Sequence, residues 1–161
     1  MFARIEILTE KKLAGDSIQT SFAENKTFEL WNNFMPKVKQ LNLPANTNLY
    51  SVEVYNDVTF FSSFNPARSF EKWAAIEADK LTGIPDELKT LILPTGLYAV
   101  FIHKGPAADG YKTYEFIFKN WLPQSDYILD DRPHFALMGS TYKNNAADSE
   151  EEIWIPIQKT V

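Results

Sequence analysis

The side chains of this sequence that can do chemistry are its large aromatic rings and a few carboxylates. There is no cysteine, which removes thiolate nucleophiles, disulfides and cysteine-based zinc sites. The two histidines, His103 and His134, have no second ligand at a spacing that a helix or strand would bring onto a metal, so no metal site is expected. No nucleophile elbow, Walker loop or dinucleotide fingerprint is present, and Gly105-Pro106 is too short to cradle a phosphate. No cofactor is expected. What remains is a set of rings, Trp31, Tyr50, Trp73, Tyr98, Trp121 and Trp154, which can form a core or the walls of an apolar cleft. Ring faces attract a cation by about 0.5–2 kcal/mol. Glu53, Glu77 and Glu152 alternate with apolar neighbours or follow them; each reads first as solvent-facing and second as an acid near such a cleft.

A chain of 161 residues with 45% hydrophobic and 14% aromatic content can fill one domain, or two small halves sharing a core. The net charge is -5, and the basic residues are scattered, with no run longer than Lys11-Lys12. The footprint of a direct nucleic-acid binder is therefore missing. No apolar stretch is long enough to span a bilayer, and the first residues carry charge where a signal peptide would be apolar. A cytoplasmic protein is expected, without membrane contact. The sequence sets no oligomeric state.

These side chains must be positioned by a mixture of strands and helices. Phe2 to Leu8 alternates as a strand does, and a second strand is expected near Leu13 to Phe22. Phe28, Trp31, Met35 and Val38 recur at helical spacing after Asn25 and Thr27, either of which can cap. Pro36 should kink or end that helix. Leu49 to Tyr55 alternates as a strand. Phe70 to Asp79 is ambiguous by composition, since its Ala and Glu favour helix. After the turn Pro94-Thr95-Gly96, residues 97 to 103 form a strand ended by Gly105-Pro106. Tyr111, Tyr114, Phe118 and Trp121 then mark a helix closed by Pro123. Glu152 to Ile157 is the last strand, with Pro156 tolerable only at an edge or strand end.

One internal similarity groups these elements. Lys26-Thr27-Phe28-Glu29-Leu30 leads to Phe34-Met35-Pro36, and Lys112-Thr113-Tyr114-Glu115-Phe116 leads to Trp121-Leu122-Pro123. Both follow a strand and precede two more, which points to duplication. The expectation is a single α+β domain over residues 1–161. It holds two β-α-β-β repeats, about 1–80 and 93–161, related by an approximate twofold axis, with antiparallel strands, both helices on one side and a cleft between the halves.

The sequence resembles the GyrI-like small-molecule-binding domain, the effector-binding domain of AraC- and MerR-type regulators. The resemblance rests on Leu30-Trp31 with Phe34-Met35-Pro36, on Pro94 to Phe101, on His103-Lys104-Gly105, on Trp121-Leu122-Pro123 with Ser125 and Tyr127, on Asp131 to Phe135, and on Glu150 to Ile157. These run in the family's order over nearly the whole chain, in a stand-alone form. The resemblance implies the duplicated fold and makes Phe70 to Ala78 a strand. It also implies an inter-repeat cleft for lipophilic, aromatic and often cationic ligands, and a link to multidrug binding and transcription regulation. Some members with this resemblance are hydrolases of reactive electrophiles or protein inhibitors of a gyrase, so both remain alternatives, the latter with a protein partner.

The family's pattern places an acid after Pro-x-Phe, where this chain has Pro133-His134-Phe135 followed by Ala136. That acid recognises cations, and in the hydrolases it is the catalytic group. Its absence argues against an enzyme, because a missing general acid or base removes roughly 10²–10⁴-fold in rate. The ligand-binding set expected is Ala136 with Trp31, Tyr50, Trp73, Tyr98, Trp121 and Trp154, with no catalytic residue assigned. Glu53, Glu77 or Glu152 could stand in for the missing acid.

Overall fold

The computed structural model describes residues 1–160 and contains nine strands and two principal helices. Strand β1 (Phe2–Leu8) turns into β2 (Lys11–Thr20), followed by helix α1 (Thr27–Gln40), β3 (Leu49–Val54) and β4 (Phe70–Glu77). The second half repeats the order: β5 (Lys89–Leu93), β6 (Gly96–Lys104), α2 (Gly110–Phe116), β7 (Tyr127–Leu129), β8 (His134–Met138) and β9 (Glu150–Lys159). Helix α2 continues through a π-helical turn, Ile117–Trp121, into the short α3 (Leu122–Gln124).

Among the described residues every strand pairing is antiparallel, and the order across the sheet is β1-β6-β9-β8-β3-β4-β2-β5, with β7 beside β9. The sequence order β2-β3-β4 of the first repeat mirrors β6-β8-β9 of the second, so β3 and β8 meet at the seam. The leading strands are exchanged: β1 pairs with β6 of the second repeat, and β5 pairs with β2 of the first. Leu8 of β1 and Leu93 of β5 belong to one buried cluster although they lie on opposite edge strands. The Glu10 backbone N–H also donates to Thr95 Oγ1 at 2.8 Å. The sheet is therefore rolled until its two ends approach.

Alternation along each strand divides the side chains between two faces. The concave face carries Leu13, Tyr50, Val52, Trp73, Tyr98, Val100, Phe135 and Trp154 in a single buried cluster. The outer face carries two clusters, one under each helix. Leu30 and Phe34 of α1 pack on Ala14, Ala74 and Ile76. Ile117 and its neighbours pack on Ala99, Phe101, Ile153 and Ile155. Both helices thus lie on one side of the sheet.

The prolines behave differently from expectation. Pro36 sits within α1 without ending it, on the exposed side, where water can satisfy the carbonyl left free. The second helix runs one residue beyond Pro123, which occupies its final turn. Pro156 is inside β9, at the position where that strand exchanges β8 for β7 as its neighbour, so no ladder hydrogen bond is lost. Strands β5 and β7 were not foreseen, and Phe70–Glu77 is a strand.

Candidate functional site

At the seam the outer face lies between the two helices, and its floor is built from cross-strand rows. One row is Ala74, Ser51, Ala136 and Ile153, on β4, β3, β8 and β9 in turn. The next is Lys72, Glu53 and His134. The first row has small residues at three of its four positions, beside the charged second row. Ser51 is only partly buried.

Glu53 is the chemical centre of this floor. It is 8% exposed, and its Oε2 has no hydrogen-bond partner among the described residues. Its Oε1 accepts from Lys72 Nζ at 3.4 Å. Burial raises the carboxyl above its ordinary range, and the neighbouring Lys72 only partly opposes this. The hydroxyls of Tyr55 and Tyr114 are pushed well above the usual tyrosine range by burial first and by the Glu53 charge second. Glu151, on the same face, is raised by burial. Its cross-strand partner His103 is held by Thr113 Oγ1 at 2.8 Å and by the Pro106 carbonyl at 2.9 Å.

Rings gather around His134, the cross-strand neighbour of this acid. Residues 55–69 form an irregular segment that brings Phe61 face to face with Phe118 of the second helix, 4.3 Å between ring centres. His134 lies beneath, 4.9 Å from Tyr55, 5.9 Å from Phe61 and 6.3 Å from Phe118. With apolar rings around it, the imidazole is lowered to about 3, by burial first and then by the Arg132 charge. The segment is anchored by Phe60, which is fully buried against Tyr55 and Phe70. Asp57 and Arg68 tie its ends together at 2.8 Å.

The structure separates the expected ligand-binding residues into two groups. Ala136 lies on the helix side of the seam, and Trp31 of α1 and Trp121 of the π-helical turn pack against the two clusters under the helices that flank it. Tyr50, Trp73, Tyr98 and Trp154 lie on the concave face, buried with Phe135, and do not face Ala136. The expected single aromatic cleft is thereby corrected: adjacent residues of a strand point to opposite faces, so Phe135 joins those four rings and Ala136 cannot. The three candidate acids also separate. Glu77 binds Lys11 at 2.6 Å and the Tyr50 hydroxyl at 2.7 Å. Glu152 binds Arg4 at 3.1 Å and the Trp154 indole at 3.1 Å. Glu53 alone shares the Ala136 face.

The symmetry of the fold makes this placement specific. Glu71-Lys72-Trp73 and Glu152-Ile153-Trp154 repeat a Glu-x-Trp pattern on equivalent strands, and in each the indole N–H donates to the glutamate two residues earlier. Trp73 lies opposite Val52, and Trp154 lies opposite Phe135. The residues that follow, Glu53 and Ala136, are therefore pseudo-symmetric counterparts. Position 136 of the second repeat corresponds to position 53 of the first, which holds the acid. The repeated Glu-x-Trp was the sequence signal that could have found this. Phe61 carried no such signal, because the irregular segment that holds it has no period, and the helical spacing of Tyr114 and Phe118 marked a helix without showing what its rings would meet.

Comparison with known proteins agrees with this architecture. The sequence matches the GyrI-like small molecule binding domain over residues 1–158. No curated protein sequence matches the chain. Among solved structures, SAV2435 bound to tetraphenylphosphonium is 13% identical, with a TM-score of 0.70 and coverage of 98% of this chain and 94% of that one. A putative bacterial transcription regulation protein from Staphylococcus aureus MU50 is 13% identical, with a TM-score of 0.68 and 98% of each chain covered. The EcmrR C-terminal domain is 16% identical, with a TM-score of 0.65 and 99% of each chain covered. These likenesses concern the fold. The duplicated strand order, both helices on one face and the match over residues 1–158 place this chain in the GyrI-like small-molecule-binding domain family.

Proposed function

We propose that the chain binds a lipophilic, aromatic small molecule at the seam between its repeats, with Glu53 in place of an acid at position 136. The observation that carries this reading is the buried Glu53 carboxylate, whose Oε2 is unpartnered among the described residues, with the rings of Tyr55 and Tyr114 close enough to feel its charge. Leaving such an atom unpaired costs roughly 1–3 kcal/mol or more, and a ligand donor would relieve that cost. Phe61 and Phe118 stack on one another beside His134, the cross-strand neighbour of Glu53, so in this reading a flat ligand enters by parting their stack and taking over their contacts. SAV2435, which shares this fold, is bound to tetraphenylphosphonium, a lipophilic aromatic molecule. A cytoplasmic binding domain without direct nucleic-acid or membrane contact fits the scattered charge, and no described helix is long and apolar enough to cross a membrane.

The test is thermal unfolding with tetraphenylphosphonium and with neutral naphthalene derivatives, on the wild-type chain and on Glu53→Gln. At least one ligand class should raise the melting temperature of the wild type, and the rise should shrink in Glu53→Gln. The reading fails if neither class shifts it, or if Glu53→Gln responds identically.

A further inference from the structure

We infer that Lys72 determines the specificity of this site: it occupies one oxygen of Glu53 as a resident cation and leaves the other for a neutral ligand bearing an N–H or O–H, at the expense of permanent organic cations. The inference rests on the placement of the site at Glu53 proposed above.

Lys72 and Glu53 are directly opposite one another on β4 and β3. The Lys72 ammonium reaches only Oε1, at 3.4 Å, and both side chains are largely buried, 15% and 11% exposed. At that depth the charge of a carboxylate is felt strongly, and so is its neutralisation. An incoming permanent cation meets an ion pair rather than a bare anion. To gain the full attraction of Glu53 it must either displace Lys72 or accept repulsion from the ammonium. A ligand with an N–H or O–H has no such competitor, because the oxygen it needs is Oε2, which nothing else satisfies. Glu151 adds a second carboxylate to this face, and the Lys72 charge acts on it as well, so Lys72 partly neutralises two acids at once. The phenol groups of Tyr55 and Tyr114, close to Glu53, extend a surface suited to polar but uncharged donors.

Three probes separate the possibilities: 2-naphthol, its methyl ether 2-methoxynaphthalene, and tetraphenylphosphonium, each titrated by fluorescence at about pH 8, where carboxyls are ordinarily ionised. The naphthol should bind about 10- to 100-fold more tightly than its ether, the range expected for a hydrogen bond to a charged group. That preference should fall below about threefold in Glu53→Gln, which loses the charge. Lys72→Met should tighten tetraphenylphosphonium by at least about tenfold. Lys72→Gln provides the same test if the methionine variant does not fold. If the wild type binds tetraphenylphosphonium as tightly as naphthol, and both Lys72 variants leave that affinity within threefold, the selection by Lys72 is wrong while the site stands. Failure of all three probes to bind overturns the site and the selection together.

Discussion

Replacing His134 by phenylalanine should make the protein markedly less sensitive to acid. The imidazole is buried against Tyr55, Phe61 and Phe118 and is lowered to about 3, whereas an unfolded chain protonates histidine near 6.5. Between those values the unfolded state binds the proton and the folded state does not, so stability falls as the pH falls. The contribution of His134 is fully present above about pH 6.5 and is lost progressively toward pH 3. Each unit of pH in that window is worth about 1.4 kcal/mol, which gives a loss of about 2.7 kcal/mol between neutral pH and pH 4.5. Glu53 acts in the opposite sense. Its raised carboxyl takes up a proton in the folded state first, so its contribution grows as the pH falls and is lost as the pH rises through the folded value. That term is common to both proteins and cancels to first order in their difference. Phenylalanine keeps the ring contacts and removes only the titration. Urea unfolding of both proteins at several pH values from about 7.5 to 4.5 should show the wild type losing about 2–3 kcal/mol more than His134→Phe. Parallel curves, within about 0.5 kcal/mol over that range, would refute the reading of His134 as a neutral imidazole held by burial.

Three further substitutions probe the site and its support. Ala136→Glu places a second carboxylate diagonally across from Glu53; repulsion at ~7 Å and desolvation should together cost about 3–5 kcal/mol near pH 7.5, partly recovered near pH 5, by urea unfolding. The same variant assayed for hydrolysis of an electrophilic ester should remain inactive if position 136 serves binding alone; turnover would revive the enzyme alternative. Phe61→Ala removes the stack on Phe118 and should cost about 1–2 kcal/mol while speeding ligand association in stopped-flow fluorescence; an unchanged rate would argue against this route of entry. Gly96→Ala would set a Cβ 2.2 Å from Arg132 Nη1. It should drive out a guanidinium that donates to the Leu97 and Ile157 carbonyls, costing about 2–3 kcal/mol in urea unfolding.

Most of the architecture could be read from the sequence because the chain states it twice. The Lys-Thr-aromatic-Glu pattern at residues 26–30 and 112–116 revealed the repeat, helical spacing of aromatic and apolar residues marked both helices, alternation marked β1 and β3, and flanking turns bounded β6. Strand β5 was missed because Lys89 to Leu93 is short and weakly alternating, and its partner β2 belongs to the other repeat. The site was legible only in part. Ala136 lies where β8 meets β3 at the seam, yet Tyr50, Trp73, Tyr98 and Trp154, grouped with it, lie on the concave face, a division that depends on the phase of each strand. Glu53 was read as solvent-facing because Leu49 to Tyr55 alternates polar with apolar as a half-exposed strand does. In fact Glu53 is buried, with His134 directly across from it on β8 and the irregular segment 55–69 packing its rings on His134. Burial of that face is set by a distant segment, and no local pattern in β3 announces it.

The exchange of β1 and β5 between the repeats limits how this molecule can move. Two lobes that merely abutted could swing apart on a hinge to admit a ligand at their junction. Here each lobe holds an edge strand of the other, through the ladders β1 with β6 and β5 with β2, so swinging apart would strip hydrogen-bonded pairs at both margins simultaneously. The scaffold is a locked frame, and opening of the seam must be a local event in the span from Tyr55 to Ser69.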